Sequence, residues 1–184
     1  MKKTVWIIVA IIAVIAILFV SAYNDLVSEK ADVEESFANI DAQLQRRADL
    51  IPNLVESVKG ITEQEKAVVD AVTSAREKYL NAGSDNEKIA AGRELSTALS
   101  NLLVVVENYP EIKSGANFIA LQDELAGTEN RIAQARKNYN EDVKEYNTTI
   151  RKFPKNIIAS MFGFDGMEYF ETADENKTAP KVEF

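Results

Sequence analysis

Eight side chains in two blocks have the types that acid–base or anion chemistry uses. Arg46, Arg47 and Asp49 lie in "IDAQLQRRADLIPNLVESVKG" (40–60), and Glu124, Glu129, Asn130, Arg131 and Arg136 lie in "DELAGTENRIAQAR" (123–136). Two carboxylates can serve as general acid and general base when a cleft drives their pKa values apart. Guanidinium groups beside the free N–H groups of a helix N-terminus bind anions, and Pro52 would open such an end here. The spacing supports a plainer role. Glu124 and Thr128, or Glu129 and the residue four on, share a helix face where solvated ion pairs also occur. Arg46 and Arg47 point about 100° apart on a helix and cannot both face one partner. One is expected to reach carboxylates of the last long helix, while the other stays in solvent or lays its stem on apolar surface. A polar clamp at a helix corner is therefore the leading expectation and an anion site the alternative. Asn24, Asn140 and Asn147, each following a tyrosine, are candidates for ties between helices through their amides.

Composition narrows the chemistry further. The 184 residues include no cysteine and no histidine, which removes thiol nucleophiles, disulfides, imidazole bases and nearly every transition-metal site with soft or imidazole ligands. Carboxylate di-metal sites in bundles draw on Glu-x-x-His pairs, and this chain cannot supply the histidine. There is no Gly-rich phosphate loop, no nucleophile-elbow serine and no Walker lysine. No catalytic residue, cofactor or metal ligand is assigned, and the chain is expected not to be an enzyme. The alternative is a cryptic hydrolase or an anion- or ligand-binding bundle that uses the Arg46/Arg47/Asp49 corner and carboxylates of the last long helix. A formal charge of −8 argues against nucleic acid as a partner.

Long helices must position these groups, because 7 glycines and 4 prolines leave little punctuation for many short strands. Val5 to Val20, "VWIIVAIIAVIAILFV", is an uncharged apolar run that Thr4 and Ser21–Tyr23 extend at its edges. At ~1.5 Å per residue it is just long enough to cross a hydrocarbon core of roughly 30 Å. A cleaved signal peptide competes, since Lys2 and Lys3 form an n-region and Val20-Ser21-Ala22 resembles a cleavage site. The run exceeds the usual signal core of about 7–15 residues, and Trp6 and Tyr23 sit where interfacial aromatics belong, which favours an anchor. Lys2 and Lys3 outweigh Lys30 on the other flank, so the positive-inside rule places the bulk of the chain outside the cytoplasm.

Beyond the membrane the apolar period is helical. Leu26, Val33, Phe37, Ile40, Leu44, Ala48 and Ile51 draw one stripe, and Leu54, Val58, Ile61, Val68, Val72, Ala75 and Tyr79 a second. "NAGSDNEK" ends the second, with Ser84 or Asp85 available to cap a third helix that runs to Asn108-Tyr109-Pro110. A fourth runs from about Ser114 to Lys152 through Phe118, Leu121, Leu125, Ile132, Tyr139, Val143, Tyr146 and Ile150, and Pro154 closes it. A short apolar helix, a glycine-punctuated loop and a polar tail follow. Short connections between such helices predict an all-α, up-and-down antiparallel bundle after the N-terminal transmembrane helix. Four bundle helices are expected if the chain turns near Asp49–Pro52, with Asp49 as cap and proline in the first turn, and three if Pro52 only kinks. "LLVVV" (102–106) covers a full helix circumference. Something must cover its second face: the apolar piece around Ile157 to Phe164, or another protein.

"YNDLV", "IDAQLQRRADLIPNLVESVKG", "VTSAR", "LLVVVENYPEIKS", "FIALQDELAGTENRIAQARKNYNEDVKEYN" and "FPKNIIASMFGF" follow one another in an order that resembles the LemA family, from Tyr23 to Phe164. The resemblance implies a bacterial single-pass membrane protein with an N-terminal anchor and a helical-bundle domain, and no established enzymatic activity. Descriptions of that family often place the large domain in the cytoplasm, against the charge argument above. The expected organisation is an anchor (1–22), a LemA-like bundle (23–153), a short apolar helix and loop packing on it (154–170) and a polar, disordered tail (171–184). The expected function is a membrane-anchored interaction or scaffold module of the bacterial inner membrane. Its expected partners are the lipid bilayer, further copies of itself or other envelope proteins.

Overall fold

The structure, a computed structural model, describes residues 2–170, so the expected polar tail lies outside the described residues. The fold is all-α, an N-terminal apolar helix followed by a helical bundle. The helices are α1 (Lys2–Ser57), α2 (Lys66–Leu80), α3 (Asp85–Val106), α4 (Pro110–Lys113), α5 (Ala116–Thr149) and α6 (Lys155–Phe162), with one 3₁₀ turn at Glu63–Glu65. Two compact units emerge, to both of which α1 and α5 contribute. One comprises residues 2–36 with Lys137–Tyr169; the other comprises Phe37–Arg136 with Phe170.

In the second unit α1, α2, α3 and α5 alternate in direction. Tyr79 of α2 bonds Asp41 of α1 while Arg76, one turn earlier, bonds Ala48, so α1 and α2 are antiparallel. Lys88 and Ser96 of α3 meet Asp41 and Arg47 in ascending order, so α3 runs with α1. The interior is filled by the predicted stripes: Ile40, Leu44, Ala48, Ile51, Leu54, Val72, Ala75, Phe118, Leu125 and Ile132 are all buried. Close approach of α1 and α3 depends on Gly92, where a Cβ would stand 3.0 Å from Leu44 Cδ1.

The expected turn at Asp49–Pro52 does not occur. Helix α1 continues through Pro52 and ends at Ser57, and the chain reverses over residues 58–65, so the described residues form four long helices with the first boundary several residues later than expected. A proline inside a helix leaves the carbonyl four residues earlier without its amide. Here Arg76 Nε supplies a donor to Ala48 O at 2.8 Å in place of the lost amide, and α1 continues past the proline. The later reversal is fastened by Tyr109, whose hydroxyl meets Thr62 Oγ1 at 3.0 Å and donates to Glu65. Asp49 is no cap; it is exposed on α1 and accepts from Gln45 Nε2 at 2.9 Å. Helix α3 starts as its sequence suggests, on a capping box: Ser84 Oγ accepts from Glu87 N, and Glu87 reaches back to Ser84 N.

In the first unit Ala22 and Leu26 of α1 are buried with Ile158 and Ala159 of α6, and Phe19, Tyr23, Ile150 and Phe164 pack around them. The piece around Ile157 to Phe164 thus covers α1, not the Leu102–Val106 run for which it was the expected cover. Asn147 holds the loop after α6 by two backbone bonds of 2.8 Å, to Met167 N and Met167 O. The amide tie expected of Asn147 therefore reaches a loop, not another helix. Tyr139 donates to Glu168 O at 2.9 Å beside it.

Candidate functional site

Most of the charged residues singled out in the sequence meet in the second unit, but they are not equivalent. Arg47 is the buried one. Its side chain is 3% exposed, it donates Nη1 to Ser96 Oγ at 2.7 Å, and its Nη2 pairs with Glu129, whose own side chain is 54% exposed. Ser96 passes the chain on by donating to Gly92 O at 3.0 Å. Arg47 so joins α1, α3 and α5 at one level. Arg46 also finds α5, pairing with Glu124 at 2.5 Å, but on a half-exposed surface where Arg131 shares the same carboxylate at 3.4 Å. The expectation that only one arginine reaches the last long helix is corrected: both do, on two carboxylates. A 100° separation forbids one shared partner and does not forbid two.

Arg136 completes the cluster from α5. Its guanidinium stacks over Phe170, 4.4 Å from the ring centroid. Burial lowers its pKa from the ordinary arginine value; Glu129 acts the other way, and Arg47 and Arg93 lower it further. Among the described residues Arg136 Nε, Arg136 Nη2 and Arg93 Nε are buried without a hydrogen-bond partner. Asn130 is exposed and stands outside the cluster.

A second polar node went unseen in the sequence. Asp41 accepts from Tyr79 Oη at 2.6 Å and from Lys88 Nζ at 2.6 Å, and so ties α1 to α2 and α3. Burial, then the hydrogen bond and charge of Asp41, then the charge of Asp49 push the Tyr79 hydroxyl far above its ordinary pKa. A tyrosine at an otherwise apolar stripe position, with an acid at the same helix level, was the only available signal.

Chemically these arrangements clamp helices. Arg46 and Arg47 are spent on Glu124 and Glu129, and no group of three metal-ligating side chains that could hold a metal occurs among the described residues. Among the described residues one groove of about 390 Å³ is lined by Ser57, Glu111, Ile112 and Gly115–Phe118, and another by α1, Phe153, Pro154 and the start of α6.

An apolar N-terminal helix leading into a bundle of polar-clamped helices defines the class of protein. An 18-residue window of α1 has a mean hydropathy of 3.1, and α1 is long and apolar enough to cross a membrane. The LemA family model matches residues 36–184, and the chain belongs to the LemA family. Similar proteins include magnetosome protein MamQ 2 of Paramagnetospirillum magneticum, 28% identical over 190 residues covering 89% of this chain and 70% of that protein. Magnetosome protein MamQ of Magnetospirillum gryphiswaldense is 26% identical over 174 residues, 80% of this chain and 64% of that protein. Protein LemA of Metamycoplasma hominis is 20% identical over 164 residues, 89% and 75% respectively. None of these names is that of an enzyme. The match begins at Ser36, so most of α1 lies outside the family model.

Proposed function

We infer that this protein is a single-pass, membrane-anchored interaction module of the bacterial inner membrane, without catalysis, working through its bundle surfaces on further copies of itself or on other envelope proteins. The observation that carries this is the state of α1 between Val5 and Val20. Nearly all its large apolar side chains, from Trp6 to Val20, are exposed, and only lipid offers so long an uncharged helix a solvent it prefers. The proposed topology leaves Lys2 and Lys3 in the cytoplasm and the bundle outside.

The test exploits the absence of cysteine. A single cysteine in the tail, challenged with an impermeant thiol reagent in intact cells, reports the side, and absence of labelling rejects the outward topology. Intact mass of the membrane fraction decides between anchor and cleaved signal: a chain that begins at Tyr23 defeats the anchor. Cross-linking in the native membrane identifies what the bundle touches, and a chain that captures neither a copy nor an envelope protein defeats the module.

One observation favours a second reading, an anion- or ligand-binding bundle: the buried Arg136 and Arg93 nitrogens that have no partner among the described residues. Inorganic phosphate that raises the melting temperature of the full chain, but not that of an Arg136→Gln variant, would support it.

A further inference from the structure

The side chains of α6 divide into two sets. Ile158 and Ala159 are buried against Ala22 and Leu26, whereas Met161 is 66% exposed and Ile157 half-exposed; Phe153, in the turn just before α6, is 81% exposed. Ile157 and Met161 lie four residues apart on α6 and share a face, and the exposed Phe153 of the preceding turn lines a groove with Ile157, so the three make up the outward stripe. Exposed apolar area of this kind on a folded surface marks a contact. Resting on the anchored reading of α1, we propose that α6 is an in-plane membrane foot, whose outward stripe sits at the headgroup–acyl boundary of the bilayer that the N-terminal segment crosses.

Depth identifies lipid as the occupant. From Thr4 to Asn24 the chain has 21 consecutive uncharged residues. At ~1.5 Å per residue they span about 31 Å, the thickness of a hydrocarbon core. Phe153 and Ile157 line the same groove, of about 340 Å³, as Ile15 and Leu18. Leu18 precedes the first charge, Asp25, by seven residues, which places it about 10 Å below the boundary. Interfacial helices bury their apolar face about 5–10 Å into that zone. The stripe and the span therefore reach the same depth from the same side.

Charge agrees with this placement. Lys155 pairs with Asp25 at 3.2 Å and Glu29 at 3.5 Å, fixing the start of α6 to the first charged turn of α1. Arg151 and Lys152 are exposed immediately before the stripe, where phosphate headgroups would lie. Phe162 seals the other end against Tyr23, 4.9 Å between centroids, and Phe19, 6.0 Å.

The experiment uses the full chain in phosphatidylcholine–phosphatidylglycerol vesicles. Single cysteines at Ile157 and Met161 carry an environment-sensitive fluorophore; Ile12 serves as the span control and Ser100, exposed on α3, as the aqueous control. The foot predicts that labels at positions 157 and 161 are quenched by nitroxides near the top of the acyl chains. It also predicts that they are several-fold less accessible to iodide than the label at position 100. If position 12 escapes every lipid nitroxide, the anchor fails and the foot with it. If position 12 is quenched while 157 and 161 are as open to iodide as 100, the foot alone is overturned. Shielding from both iodide and lipid nitroxides would mean a protein cover such as a second copy, and overturns it equally.

Discussion

Arg76 Nε stands 2.8 Å from the carbonyl oxygen of Ala48, the one acceptor that Pro52, four residues on, leaves without an amide. A charged donor from α2 thereby replaces the backbone bond that proline removes, and α1 keeps its course to Ser57. The relation is specific in position: Arg76 reaches the carbonyl four residues before the proline and so repairs the ladder where it is broken.

Arg76→Met should destabilise the protein by about 1–3 kcal/mol, the cost of an orphaned carbonyl together with the lost charged bond. In a Pro52→Ala background the same change should cost less, because the backbone N–H restored at position 52 bonds Ala48 O itself. Denaturant titrations of the four proteins, followed by helical circular dichroism, measure the coupling. Equal costs in both backgrounds would show that Arg76 is not the substitute donor.

The two adjacent arginines should separate cleanly. Arg46→Ala removes a half-exposed pair and should cost about 0–1 kcal/mol. Arg47→Ala strips a buried side chain from Ser96 and Glu129 and leaves its site unfilled; with Glu129 still open to water, about 2–3 kcal/mol is expected. Ser96→Ala should reproduce about 1 kcal/mol of that loss. Indistinguishable midpoints for Arg46→Ala and Arg47→Ala would remove the clamp.

Alkaline pH should weaken the fold through its buried phenols. Burial and then Asp41 raise Tyr79; burial, then Asp165, Glu29 and Glu34, raise Tyr146. A pKa higher in the folded than in the unfolded state gives stability that is complete below the unfolded value of about 10 and is lost as pH rises above it. Each such tyrosine contributes a slope of about −1.4 kcal/mol per pH unit while the unfolded phenol is ionised and the folded one is not. Tyr79→Phe should lower stability at pH 8, through the lost Asp41 bonds, yet flatten the decline between pH 10 and 11. A slope unchanged by Tyr79→Phe and by Tyr146→Phe would assign the alkaline loss to other groups.

The limits of the sequence show at particular residues. The third helix is legible at both ends, because a capping box and a Tyr-Pro step are local signals that need no partner. The apolar stripes are legible for the same reason, and their residues are buried or half-buried. Pro52 misleads because the local rule is sound and a residue 24 positions later, Arg76, cancels it. Asp41, Tyr79, Ser96 and Arg93 escape a sequence reading since their roles depend on which helix levels meet, and register across a bundle is a property of packing. The choice of Arg47 over Arg46 as the buried member rests on the same register.

The run Leu102–Val106 yields the sharpest contrast between fold and contact. Leu102 and Val106 are buried, Leu103 and Val105 are half-buried, and Val104 is 69% exposed. Only one stripe of α3 thus belongs to the core, and Val104 is a large apolar side chain on an open face. Val106→Glu places a carboxylate in the bundle interior without a cation and should unfold the domain or cost several kcal/mol. Val104→Glu should change stability by less than about 0.5 kcal/mol, since it alters an exposed position away from caps and clamps. Its consequence, if α1 anchors the protein as proposed and it self-assembles through this face, is loss of oligomers: copies confined to two dimensions meet at high effective concentration, and a charge at the contact opposes them. Chemical cross-linking of full-length protein in membranes, wild type against Val104→Glu, measures this directly. A Val104→Glu protein that folds normally and cross-links as the wild type does would exclude this face from any self-contact.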